Sequence, residues 1–233
     1  MQLLDIKRMA HNILENQNIE SSFIEYKKSA NFKDKILKTA CAFANNYMNN
    51  EIGLLFVGIE EVELKGVIYY FVDNERYFKR ANVYGEFDDC ERFLFLCKAV
   101  VETMDITGFK PDIIHCNDWQ TALIPIYLKE RRIYDIKTIF TIHNLRFQGF
   151  FFNNVIEDLL EIDRAKYFQE DGLKYYDMIS FLKAGVVYSD YITTVSDSYA
   201  EEIKTPELGE GIHGLFQKYD YKLSGIVNGI DKS

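Results

Sequence analysis

The chain has 233 residues, 48% of them hydrophobic, enough for one large domain or two small ones with a real core. Its formal charge of -9, from 27 basic against 36 acidic side chains, disfavours nonspecific attraction to nucleic acid or anionic lipid. No apolar run reaches the roughly 18 residues of a membrane span, and the opening "MQLLDIKRMAHNILENQ" alternates charged with apolar residues instead of building a signal-peptide core.

In chain order, residues 1–16 and 33–47 have helical apolar spacing, and "IGLLFVGI" (52–59) is a short apolar run of strand type. From Gly66 onward β-rich runs alternate with longer helical segments. They are "GVIYYFV", a helix near 88–104, "DIIHC", a helix over 119–132, "TIFTIHN", a helix over 176–188, "YITTVS", a helix over 197–204 and "SGIVNG". This alternation predicts crossover units, hence an α/β fold with a Rossmann-like parallel sheet and helices on both faces. Cys41, Cys90, Cys97 and Cys116 form no CxxC pair, and Cys90 and Cys97 stand seven apart on one predicted helix, too far along its axis to bridge. They read as reduced thiols in a cytoplasmic protein.

Ligands of such sheets gather outside the carboxyl ends of the strands. Three strand ends turn polar abruptly: "DIIHC" runs into Asn117-Asp118-Trp119, "TIFTI" into His143-Asn144, and "YITTV" into Ser196-Asp197-Ser198. If the strands are parallel, Asp118, His143 and Ser196 surround one crevice. Each also has a plainer reading. Asp118 and Ser196 stand where helix N-caps belong. Trp119 could be core, and His115 and His143 could be interior histidines with satisfied nitrogens. Two histidines 28 residues apart without further ligand spacing give no metal site, and no GxSxG, P-loop, GxGxxG or HExxH motif occurs. Neither a metal nor another cofactor is expected.

In order, "GVIYYFVDNERYFKRANVYGEFDDCERFLFLCKAVVE", "PDIIHCNDWQTALIPIYL", "TIFTIHNLRFQGFF", "FLKAGVVYSDYITTVSDSYAEEI" and "GLFQKYDYKLSGIVNGID" resemble consecutive signatures of bacterial glycogen synthases and plant starch synthases. The resemblance covers residues 62–233. It implies one lobe of a GT-B glycosyltransferase, whose two Rossmann-like lobes face each other across a cleft. The implied activity is retaining transfer of glucose from a nucleotide-glucose donor, ADP-glucose or UDP-glucose, to an α-1,4-glucan acceptor. On this resemblance Asp118 hydrogen-bonds glucan hydroxyls and Trp119 shapes the cleft wall. His143 hydrogen-bonds the donor glucose near the oxocarbenium-like centre, with Asn144 in support. Tyr77, Gln148 and Ser196 are the further substrate-binding candidates. Short polar side chains for hydroxyls and aromatic faces for C–H surfaces are the chemistry that sugars require.

Departures accompany the matches. Asn117 stands where a histidine is frequent, and Arg146-Phe147 replaces a small residue and tyrosine. The family's KTGGL-type phosphate loop does not occur, nor does the second lobe with its cationic clamp and EPCGL-type loop. These 233 residues therefore look truncated, and by themselves are expected to be nearly inactive. The stretch over about 15–61, in which "ESSFIEYKKSANFKDKILKTACAFANNYMNNEIGLLFVGIEE" (20–61) carries the likeness, is similar to AlbA-like, Schlafen-type domains of transcriptional regulators. On that reading residues 1–61 are a short α/β segment of different origin, and nucleic acid could be bound only there. Basic and acidic residues nearly balance in the segment, so charge gives that role no backing.

Overall fold

The computed structural model describes residues 24–25, 36–39, 54–55, 57–64 and 67–229. The segments over 1–16 and 15–61, read above as helical and as AlbA-like, lie outside the described residues except for short strands. Contacts divide the chain into two compact units, residues 1–83 and 84–233.

In the first unit, β1 (Ile24–Glu25) pairs in parallel with β3 (Leu54–Leu55). A second, antiparallel sheet has the order β2 (Ile36–Thr39), β4 (Val57–Leu64), β5 (Val67–Asp73). β4 runs through residue 62. The run "GVIYYFV" is thus a strand, but it joins no crossover unit. Leu64 pairs with Val67, so only Lys65 and Gly66 connect β4 to β5, and a two-residue link permits only antiparallel pairing. β2 falls inside 33–47, where the apolar spacing suggests a helix; strand pairing to β4 overrides that weak local signal. A short helix, Glu75–Phe78, follows, capped by the Asn74 side chain, which accepts from the Tyr77 backbone N–H at 3.1 Å.

The second unit is built on a four-stranded parallel sheet. Its order is β12 (Leu223–Gly225), β11 (Tyr191–Thr194), β7 (Lys137–Ile142), β6 (Ile113–Asn117). The helix Asp89–Thr107 carries Asp89 and Glu91 in its first turn, where the helix dipole favours acids, and stops at Gly108 with φ 70°. The helix Ile124–Glu130 starts with a proline in its first turn. One sheet face carries Cys116, Phe140, Ile142 and Ile192, and these enter a core shared with Phe93, Leu94 and Cys97 of the first helix and Phe181, Leu182 and Val186 of the helix Phe181–Tyr188. That last helix comes close because it presents Gly185 to the sheet; a Cβ there would stand 2.6 Å from the Phe140 ring. The other face carries His115, Asn117, Thr141 and Thr193, which the register sets side by side.

Two features escape the periodicity. Met178–Ser180, inside the segment read as a helix over 176–188, is β10, the middle of a small antiparallel sheet between β8 (Phe150–Phe152) and β9 (Lys174–Tyr175). The helix begins only at Phe181, capped by Ser180. Buried lysines brace the periphery. Lys183 donates to the carbonyls of Glu170 and Lys174, and Lys222 to those of Val187 and Ser189. Among the described residues no helix is long and apolar enough to cross a membrane.

Candidate active site at the carboxyl edge of the sheet

The parallel register carries β6, β7 and β11 to a common edge, where their last residues are Asn117, Ile142 and Thr194. Asn117 pairs with Thr141. His143 lies two residues beyond Thr141, so strand alternation returns its side chain to the face that bears Asn117. The imidazole Nε2 of His143 is 3.0 Å from Asn117 Oδ1, and the backbone N–H of His143 donates to Asp118 Oδ1 at 2.9 Å. His143 and Asn144 are exposed. Asn144 closes its own loop, its side-chain oxygen accepting from Arg146 N at 3.0 Å. Its amide NH2 is not used in that bond.

Asp118 is not the cap that its position suggests. Asn117 occupies the cap position without a side-chain cap bond, and Asp118 begins the short helix Asp118–Thr121 with φ 54°. This left-handed backbone costs an L-residue about 1–2 kcal/mol, least for Asp and Asn. It aims the carboxylate across to β7 rather than along its own helix. Thr121 Oγ1 completes the corner, accepting from Asn117 N and donating to Asn117 O.

Ser196 behaves differently. It caps the helix Asp197–Glu202, accepting from Tyr199 N at 3.1 Å, and lies 3.1 Å from Ser198 Oγ. The Tyr199 hydroxyl accepts from Leu145 N at 3.0 Å, which ties this helix to the loop after His143. A Cβ on Gly225 would meet the Asp197 backbone, so β12 ends against the same corner.

Trp119 lies behind the edge, only 5% exposed, with ring centroids of Phe93, Phe151 and Phe181 at 4.8, 5.8 and 6.5 Å. Its face lies against Gly149, φ 61°, where a Cβ would stand 2.6 Å from the ring. It packs the floor rather than offering an open wall. Gln148 is also buried: its Nε2 donates to Glu210 O, and its Oε1 finds no partner among the described residues. Tyr77 is buried in the first unit. The structure therefore brings Asp118 and His143 into direct contact, sets Ser196 on the neighbouring corner and puts Trp119 and Gln148 beneath. Asn117 is the partner that sequence reasoning missed as a site residue; its signal is alternation from His115 through the β6–β7 register.

His115, on the same face, is satisfied sideways. Its Nε2 is 2.6 Å from Thr141 Oγ1, which is 2.5 Å from Thr193 Oγ1. Among the described residues no group of three or more His, Cys, Asp and Glu side chains could hold a metal ion. Burial pushes the thiols of Cys90 and Cys116 up to about 12, which makes them packing groups rather than nucleophiles.

A family model described as "Starch synthase catalytic domain" matches residues 14–218. The chain is 80% identical over 222 residues to a glycogen synthase of Fusobacterium nucleatum subsp. nucleatum, covering 94% of this chain and 47% of that protein. It is 52% identical over 181 residues to a glycogen synthase of Caldicellulosiruptor bescii, 76% of this chain and 38% of that one. Among solved structures, the catalytic domain of starch synthase IV from Arabidopsis thaliana, bound to ADP and acarbose, superposes with a TM-score of 0.71 at 28% identity, over 89% of this chain and 44% of that chain. The chain thus spans about half the length of the relatives it matches, or less. The matches run through most of residues 15–61, and the AlbA-like resemblance finds no support in them. A synthase match over residues 14–218 and the parallel sheet with its polar carboxyl edge lead to one conclusion: the chain belongs to the starch synthase catalytic domain family.

Proposed function

We propose that this chain supplies one lobe of a retaining glucosyltransferase, which moves glucose from a nucleotide-glucose, ADP-glucose, to an α-1,4-glucan in the cytoplasm. One observation carries the reading: an exposed His143 gripped at its backbone by Asp118 and at its ring by Asn117, at the carboxyl edge of a parallel sheet. The glycogen synthases it resembles and the starch synthase structure with ADP and acarbose support it.

In this reading the lobe contributes positioning. His143 and Asn144 present hydrogen-bonding groups to the donor glucose, while the aromatic floor of Trp119 holds the edge rigid. Retaining transfer needs the reacting sugar held in place and the departing diphosphate neutralised. Asp118, Gln148 and Ser196 act mainly by holding His143 and the loops about it; Tyr77, buried within the first unit, is given no part in this reading. No observation favours a nucleic-acid partner.

The test joins these residues to the carboxyl-terminal half of the Fusobacterium relative and measures radiolabelled glucose transfer from ADP-glucose to glycogen. The reading expects transfer that His143→Ala lowers by at least about 100-fold, the worth of two lost transition-state hydrogen bonds. A folded hybrid with no transfer, beside an active relative, contradicts it. The 233 residues alone, which match 47% of that relative's length, should stay at background; turnover of about 1 per second or more would show that this span suffices for transfer.

A further inference from the structure

We propose that Asn117 is a positioning residue that selects the tautomer of His143: its side-chain oxygen accepts the hydrogen bond of Nε2–H and leaves Nδ1 as the nitrogen that meets the sugar. The inference rests on the reading of His143 as a sugar contact. A neutral imidazole has one N–H donor and one acceptor nitrogen, and the bond made by one nitrogen decides the role of the other. Asn117 Oδ1 can only accept, and it stands 3.0 Å from Nε2, so Nε2 carries the hydrogen. Among the described residues Nδ1 makes no hydrogen bond, and the side chain is exposed. Nδ1 is therefore an acceptor, suited to the proton of a sugar hydroxyl.

The corner is built to hold this arrangement. Asn117 is the last residue of β6, its N–H and carbonyl are both engaged by Thr121 Oγ1, and its register partner Thr141 is tied to His115 and Thr193. The amide that faces the ring thus sits on a fixed backbone. The second grip, Asp118 Oδ1 on the His143 N–H, sets the ring's distance from β6 without touching the ring nitrogens. Asp118 places the residue and Asn117 chooses which nitrogen is bare.

The decisive readout is the ring itself. The chain has four histidines, so long-range nitrogen–proton correlation spectra of the ring-labelled protein are simple, and a His143→Gln variant identifies the His143 signals. The expected wild-type spectrum shows Nε2 protonated and Nδ1 bare. Asn117→Asp, which keeps an acceptor in place, retains that pattern. Asn117→Ala and Asn117→Leu, which remove it, let the Nδ1–H form appear as a minor population, because a free imidazole favours Nε2–H without excluding the other tautomer. In the two-lobe hybrid Asn117→Ala lowers kcat/KM by about tenfold, the net worth of one hydrogen bond. A wild-type ring protonated on Nδ1, or an unchanged tautomer in both the Ala and Leu variants, overturns the proposal. If the spectra follow expectation while the hybrid transfers no glucose, the tautomer assignment stands and the glucosyltransferase reading falls.

Discussion

Asp118 and Ser196 each follow the end of a parallel strand, begin a helix and carry a short side-chain oxygen, yet the structure uses them in opposite ways. Ser196 satisfies its own helix, accepting from Tyr199 N three residues on. Asp118 adopts a left-handed backbone and spends its carboxylate on His143, 25 residues away on another strand. A cap stabilises the element that contains it; a carboxylate turned across the sheet edge fixes the geometry between elements. The second arrangement carries conformational strain without helping its own helix. Arg132, Glu161, Tyr176 and Glu210 share a positive φ, so strain alone marks no site; with the bond to His143 it is the reason the proposed function is placed at the β6–β7 corner rather than the β11 corner.

The largest expected effect concerns the residue beside Asp118. If Trp119 is floor and not wall, Trp119→Ala removes packing against Phe93, Phe151 and Phe181 and costs about 3–5 kcal/mol in urea unfolding followed by circular dichroism. Loss of sugar binding with less than about 1 kcal/mol of destabilisation would instead put the indole in the site and blur the division between corner and core.

Next is the support behind the β11 corner. Lys222 is buried, and burial first, with the neighbouring Lys129 ammonium second, pushes its pKa from 10.5 down to about 8, against an opposing pull from Asp190. An amine whose folded value lies below its unfolded one imposes a cost that is present below about pH 8 and is relieved as pH rises towards 10.5. The stability of wild type relative to Lys222→Met should therefore increase across that window, by about 3 kcal/mol. Denaturant midpoints of the two proteins at several pH values measure it; a difference that stays flat or shrinks with pH refutes the assignment.

Much of this division could be read in the sequence, and its limits have physical causes. The parallel strands "DIIHC", "TIFTI" and "YITTV" announce themselves by β-rich runs that stop on polar residues, and the helices between them by length. Asp118 could be named but not understood, because cap spacing is local while its bond to His143 depends on strand register. β10 was hidden inside a helical segment because three residues carry no period, and its pairing with Phe150–Phe152 is nonlocal. An aromatic at a helix start suits a cleft or a core, and it is the burial of Trp119 and the contact of its ring with Gly149 that speak for the core.

Smaller effects sharpen the contrast between the two corners. Ser196→Ala should cost about 1 kcal/mol, an ordinary cap loss, and leave the His143 ring signals unmoved. Asp118→Gly should be more stable than Asp118→Ala by about 1 kcal/mol, because glycine accepts φ 54° freely. Both Asp118 variants should shift the His143 ring signals. Equal stabilities for Gly and Ala would mean that the left-handed backbone is not retained in solution.

Titration of the isotope-labelled chain with ADP-glucose, the proposed donor, read by amide and ring chemical shifts, tests the central claim most directly. The account predicts saturable shifts at His143, Asn144 and Asp118 with a dissociation constant on the order of 1 mM or weaker, since half a cleft leaves only shallow contacts. Absence of any shift at these residues under saturating donor, with duplex DNA binding instead at about 0.15 M salt, would contradict it.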